Sequence, residues 1–397
     1  MMKILILFVL ALLLPSLTFS KNDSSVFNVV DYGAIGDRFT DSTNAFIKTW
    51  EATCTSSSSS ATMYVPAGKT FLLHPLRLSG PCLSPYVTIV IDATIVAPIQ
   101  PLEWRCIANR CDKWIVIKHV NNLTVRGSGT INGQAPLWWS VNDRMRPTAF
   151  EIAYSKDINL SGLTFMDNPR AHVHLNKVEF ATISNITIYA AELSPNTDGI
   201  HVSASKDVII NYCQIATGDD CISIVDGSAN LLISNITCGP GHGISIGSLG
   251  KHGATSNVEN VLVSDVVFIN TTNGARIKTW QGGQGHAKNI IFERILLQDC
   301  RNPIIIDQFY CDNEQCIEQN SAVKVSDITF REIIGTCQGD IAVKLDCSKS
   351  VPCTGIVMEN INIHSDSKDK ARSLTRNARG ISKGQNIPEI RLDNQGP

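Results

Sequence analysis

From Asn122 to Ile363 the chain repeats one short pattern: a few apolar, largely β-branched residues, closed off by Asn, Asp, Ser or Gly. Instances are Asn122-Leu-Thr-Val-Arg, Ala181-Thr-Ile-Ser-Asn-Ile-Thr-Ile, Asn230-Leu-Leu-Ile-Ser-Asn-Ile-Thr, Asn260-Val-Leu-Val, Asn289-Ile-Ile-Phe and Val323-Lys-Val-Ser-Asp-Ile-Thr-Phe. Segments this short and this rich in Val, Ile and Thr read as strands, and the punctuation reads as turns. Their starts recur every 22 to 35 residues or so, a period that implies a solenoid in which each repeat buries its apolar face against the next. Helical periodicity is nearly absent. The exception lies near the start, where Asp41 or Ser42 is an N-cap and Ala45, Phe46, Trp50 and Cys54 share one apolar face. Such a helix covers the open end of a stack of strands, whose bare edges invite aggregation. The expected fold is all-β: a single-domain right-handed parallel β-helix over residues 21–397 with a short N-terminal capping helix.

Residues 1–20 carry Lys3, an apolar run from Ile4 to Leu14, Pro15 and a small-residue exit at Thr18-Phe19-Ser20. That is the layout of a secretory signal peptide and is too short to span a bilayer, so a secreted, extracellular protein is expected. The 34 Lys and Arg nearly balance the 36 Asp and Glu. This argues against a nucleic-acid binder, so an acidic ligand must be held by local charge. Thirteen cysteines in an exported chain point to disulfides, and the odd number leaves at least one unpaired within the chain. Spacing suggests Cys106 with Cys111, Cys311 with Cys316, Cys347 with Cys353, and Cys221 with Cys238 as a staple between coils. Glycosylation acceptors stand at Asn22, Asn122, Asn159, Asn185, Asn235 and Asn270.

Four polar clusters interrupt the apolar pattern: Asn196-Thr197-Asp198, Gly218-Asp219-Asp220, Gly241-His242-Gly243 and Arg276-Ile277-Lys278. Asp198, Asp219 and His242 follow at intervals of 21 and 23 residues, and Arg276 and Tyr310 at 34 each. Neighbouring coils of a parallel stack lie about 4.8 Å apart, so a one-coil interval becomes lateral contact. Three carboxyls that close cannot all ionise freely. One is held protonated, as a general acid must be, while the others stay carboxylates able to activate water. That division of labour is what glycoside hydrolysis requires. Arg276 and Lys278, two apart on a strand, project to one side, where they suit a substrate carboxylate.

With Ser194-Pro-Asn-Thr-Asp-Gly-Ile-His201, Thr217-Gly-Asp-Asp-Cys-Ile-Ser223, Cys238-Gly-Pro-Gly-His-Gly-Ile-Ser-Ile-Gly247 and Arg276-Ile-Lys-Thr-Trp280 in this order, the chain resembles the plant polygalacturonases of glycoside hydrolase family 28. The likeness runs from Asn28 to about Ile363. It implies an inverting pectin hydrolase on a right-handed β-helix, without cofactor or metal. It implies Asp219 as general acid, Asp198 and Asp220 holding and deprotonating the water, and His242 supporting the acid. Asn196, Arg276, Lys278 and Tyr310 would bind galacturonate. The motifs around Trp280 and Tyr310 resemble the endo-acting forms more than the exo-acting ones. Expected partners are polygalacturonate and polygalacturonase-inhibiting proteins, the expected location is the cell wall, and the expected state is a monomer. The chain departs from the family pattern at Phe309, where a polar residue is usual, and over about 365–397, where the usual cysteines are missing.

Taken singly, each cluster has a plainer reading. Asn-Thr-Asp is most simply a turn, Gly-Asp-Asp a turn or calcium site, Gly-His-Gly a tight passage, and Arg276 with Lys278 a solvated strand face. His172 and His174 are spaced like metal ligands but lack a third, which favours groove lining or packing. Two other activities remain: a calcium-dependent pectate lyase, argued against by the Asp-His-Arg-Lys order, and a silent pectin-binding protein. Lys278→Ala is expected to weaken binding more than the fold.

Overall fold

The computed structural model describes residues 24–106, 112–141, 145–312, 316–317, 319–366 and 370–393. The leader and Asn22 lie outside this range. The described residues form one right-handed parallel β-helix in which every named strand pair is parallel. One sheet of the solenoid contains, in spatial order, Leu76–Ser79, Lys113–Lys118, the start of Thr148–Ser161, the start of Val173–Ser184, Ile200–Ser203, Ile222–Ile224, Ile244–Leu249, Asn273–Trp280, Asn302–Tyr310, Ile341–Asp346 and Arg372–Arg376. It is called the groove sheet below.

The interior is a continuous column of apolar side chains. Ile200, Ile222 and Ile244 are register partners on successive coils, each fully buried, as are Phe165, Phe292 and Phe330. Phe292 and Phe330 stack with ring centroids 5.5 Å apart. Burying one such side chain contributes about 1.5–3 kcal/mol, and the column repeats this at each rung.

The Asn and Asp punctuation has a backbone cause. Along one edge, Asn122, Asp157, Asp207, Asn230, Asn260, Asn289 and Asp327 all take positive φ. At a second edge Asn185, Asn235, Asp265 and Asn360 do the same. Asn and Asp tolerate this left-handed conformation better than other non-glycine residues. Stacked coils turn these residues into ladders: Asn289 Nδ2 donates to Asn260 Oδ1 at 2.7 Å, and Asn260 Nδ2 to Asn230 Oδ1 at 2.9 Å. The glycosylation acceptors Asn122, Asn159, Asn185, Asn235 and Asn270 are all exposed.

Helix α1, Thr43–Cys54, follows the N-cap Ser42 and buries Ala45, Phe46, Trp50 and Cys54 as expected, with Thr49 and Thr53 besides. The capping bond comes from the neighbour: Asp41 Oδ1 accepts from Thr43 N at 3.0 Å, while Ser42 Oγ is turned to Ile35. The helix lies over the first coil, with the Phe46 and Phe71 rings 5.4 Å apart and Trp50 Nε1 donating to Ser79 O.

Three disulfides match the spacing argument, Cys221–Cys238, Cys311–Cys316 and Cys347–Cys353. Cys54–Cys82, tying α1 to the first coil, was not anticipated. Cys106 is also bridged, and its expected partner Cys111 lies outside the described residues. Cys213, Cys300 and Cys337 are free and buried. At the C-terminal end Arg372–Arg376 and Ala378–Lys383 add a further coil. Arg376 covers the Phe309 ring at 4.5 Å, which accounts for an aromatic at that position.

Candidate active site

Loops entering the groove sheet carry the acids, and backbone hydrogen bonds stack them rung on rung. Gly199 N donates to Asp220 O at 2.9 Å, and His242 N to Asp219 O at 2.7 Å. The glycines permit that approach. A Cβ on Gly218 would sit 2.0 Å from Ser194 O, and Gly243 takes φ 81° with Asn273 O where a Cβ would go. Thr197 is fully buried, and its hydroxyl accepts from Gly218 N at 3.1 Å, pinning one acid loop to the next.

The structure brings all eight sequence-predicted residues into one neighbourhood. Asp219 Oδ1 lies 3.2 Å from His242 Nδ1, and its Oδ2 3.5 Å from Asn196 Nδ2. Asp220 is 2% exposed and bonded at both oxygens. Its Oδ1 accepts from Ser245 Oγ at 2.7 Å and Arg276 at 2.5 Å, and its Oδ2 from Lys278 Nζ at 2.9 Å. Lys278 Nζ also lies 5.2 Å from the Tyr310 ring centroid. Asp198 Oδ2 accepts from Ser223 Oγ at 2.6 Å. Lys278 is thus committed to a buried carboxylate, so its loss bears on the fold as well as on the binding that the sequence pointed to first.

These contacts drive the two adjacent carboxyls apart. Burial raises Asp219, and the Asp198 charge adds to the rise, against the smaller opposing pull of His242. Burial would raise Asp220 too, but Lys278 and Arg276 hold it at about 2. Asp219 therefore retains a proton over a pH range where Asp220 is ionised, the separation a general acid needs from its neighbours. Burial, reinforced by the hydrogen bond to Asp312, pushes the Tyr310 phenol well above its ordinary value, so it stays protonated.

Arg146, Lys113 and Glu151, none of them singled out from the sequence, complete the site beside His172 and His174, which were expected to line the groove or pack. Arg146, only 3% exposed, donates to Asn196 Oδ1 at 2.7 Å and to Pro195 O, fixing the Asn-Thr-Asp loop. Lys113 Nζ and His174 Nδ1 contact Glu151 Oε2 at 2.5 and 2.8 Å. Burial pushes Glu151 up, but the His174 hydrogen bond and Lys113 charge bring it to about 2. Burial holds His174 near 4, so the ring is neutral and its contact with Glu151 is not an ion pair. His172 is fully buried, with Nδ1 3.0 Å from Asp198 O. Neither histidine belongs to a metal-ligand cluster among the described residues. Asp219, Asp220 and His242 do cluster within 4.8 Å, but Arg276 and Lys278 already occupy Asp220, a poor setting for a further cation.

The acids line a cleft of about 390 Å³ whose walls run from Lys113 to Asp312, with Arg170, His174 and His201 to one side and Lys278 and Tyr310 to the other. A larger recess, about 860 Å³, lies among Asp41, His74, Gln100 and Arg105. The smaller cleft is the candidate site, because there three carboxyls, a lysine and a tyrosine converge.

Residues 54–382 match the family model for glycosyl hydrolases family 28. The chain belongs to glycosyl hydrolase family 28. It is 46% identical over 366 residues to a probable polygalacturonase of Arabidopsis thaliana, covering 90% of this chain and 79% of the relative. A polygalacturonase of Chamaecyparis obtusa is 42% identical over 397 residues, covering 97% and 76%. The polygalacturonase of Erwinia carotovora shares the fold with a TM-score of 0.75 at 24% identity, covering 93% of this chain and all of that one. Family membership makes the chain a glycoside hydrolase.

The site's buried titratable groups predict an acid-labile fold. His172 and His174 sit near 4, below 6.5, so their stabilisation is complete above about pH 6.5 and lost as pH falls through 4. Glu151 and Asp220, both near 2, lose theirs as pH falls from about 4.5 through 2. Asp167, Asp219 and Asp307, raised by burial, act with the opposite sign. The expected Tm is highest at and above neutrality and falls on acidification. A Tm that climbs steadily from pH 7 to pH 4 would contradict these assignments.

Proposed function

We propose that this family 28 hydrolase is a secreted endo-polygalacturonase of the plant cell wall, cleaving α-1,4-galacturonosyl linkages of de-esterified pectin with inversion. The observation that carries the reading is the pair Asp219 and Asp220, one carboxyl raised and its neighbour held at about 2. Asp219 protonates the glycosidic oxygen as the bond from the anomeric carbon breaks. Water enters that carbon from the opposite face and gives up its proton to a carboxylate. Asp198 is better suited to take it, because three of the roughly four acceptor positions of Asp220 are engaged by Ser245, Arg276 and Lys278. Asp220 then acts as the anion that orders the two cations and orients the water. His242 holds the Asp219 carboxyl in place. Asn196, Arg276, Lys278 and Tyr310 contact the uronate.

The internal mode of cleavage rests on the cleft. Its lining comes from strands running from Lys113–Lys118 to Asn302–Tyr310, with the acids between, so a polymer can lie along it on both sides of the cut. Polygalacturonase-inhibiting proteins are the expected macromolecular partners, acting on a monomer. New reducing ends from polygalacturonate, unaffected by chelator and without unsaturated products, are the expected result. Unsaturated products or chelator sensitivity would instead indicate a calcium-dependent lyase.

A further inference from the structure

Beneath Asp198 runs a row of polar side chains, four of which the mechanism above does not use. Glu151, His174, His201, Ser223, Ser245 and Arg276 are consecutive register partners on the groove sheet, one per coil. Two of them reach Asp198. Ser223 Oγ donates to Asp198 Oδ2 at 2.6 Å, and His201 Nδ1 lies 2.7 Å from the same Ser223 oxygen and 3.7 Å from Asp198 Oδ2. A serine hydroxyl has one proton, and here it goes to the carboxylate. His201 Nδ1 must therefore carry a proton and donate it to Ser223. The imidazole is held in place by its neighbour: its ring meets His174 edge-on at 4.8 Å, and His174 is fixed by Glu151 and by Ser203 Oγ at 2.8 Å from Nε2.

We propose that His201 and Ser223 form a hydrogen-bond relay that holds the Asp198 carboxylate aimed at the attacking water, making both positioning residues for the base. The inference rests on Asp198 serving as base in the proposed hydrolase. A hydrogen bond given to the charged form of a carboxyl lowers its proton affinity, and a donor that is itself hydrogen-bonded gives a stronger bond. The need is local. Asp198 faces Asp219 and Asp220 on the following coil. His172 and the neutral His174 lie on the preceding coil, while Arg276 and Lys278 are drawn to Asp220. Ser223 supplies the only side-chain donor within hydrogen-bond reach of the Asp198 carboxylate among the described residues.

The test is the pH profile of kcat/KM on polygalacturonate. With Ser223→Ala the acid limb, where the base must lose its proton, should move up by about one pH unit, the size expected for losing one such bond. The decisive pair is at the histidine. His201→Asn places an amide N–H near the Nδ1 position and should keep the acid limb within a few tenths of a unit of wild type. His201→Ala should move it upward. Were Ser223→Ala not to fold, the histidine pair carries the test alone. An active wild type whose acid limb is unmoved in His201→Ala, or moves equally in His201→Asn and His201→Ala, overturns the relay. An inactive wild type overturns the hydrolase reading instead.

Discussion

Asp219→Asn should lower kcat on polygalacturonate by about a thousandfold, the mid-range effect of removing a general acid, with little change in oligogalacturonate binding. Asn is nearly isosteric with Asp and its single oxygen can still accept from Asp220 N, but its NH2 replaces the oxygen that faces Asn196 Nδ2, and it has no acidic proton to give the leaving oxygen. A second consequence separates this account from a structural role. Because the Asp219 carboxyl is held above its ordinary value by burial and by Asp198, its ionisation near neutrality destabilises the fold. Asp219→Asn should therefore raise the Tm at pH 7 while abolishing turnover, the trade expected of a catalytic group held in an unfavourable state. Retained turnover, or a lower Tm with lost turnover, would assign the acid elsewhere.

Lys278→Met should cost the fold about 3 kcal/mol, the lower end for breaking a buried ion pair, because Arg276 remains beside Asp220. It should weaken substrate binding as well, since the cation over Tyr310 is gone. The double variant Lys278→Met with Asp220→Asn should recover much of the stability, because the uncompensated buried charge goes with its partner. Denaturant unfolding of the two single variants and the double closes the cycle. Additive losses would show that Lys278 and Asp220 do not depend on each other.

The fold was legible because its signal is periodic. Each coil repeats the same apolar triplet, and the left-handed turns at Asn230, Asn260 and Asn289 demand residues that stand out against Val and Ile. The acids were legible for the same reason, lying one coil apart in a region of short, regular loops. Arg146 and the Cys54–Cys82 bridge were not, because loop geometry brings them to their partners and no spacing records it. A usable signal for the relay did exist. Val173-His174-Leu175, Ile200-His201-Val202, Ile222-Ser223-Ile224 and Ile244-Ser245-Ile246 place one polar residue between two apolar ones on successive groove strands, marking an outward-facing row. Roles within the Asp219-Asp220 pair needed the structure, because what distinguishes them is Lys278 and Arg276 closing on one carboxyl and not the other.

The central claim is that a cleft with its acids between two binding arms cuts a pectin chain internally by hydrolysis. Sizing the products of polygalacturonate from the earliest times of digestion tests it most directly. The account predicts a ladder of saturated oligomers, with long chains vanishing before monomer accumulates. Monomer alone from the first time point, or no cleavage by the folded protein, would contradict it.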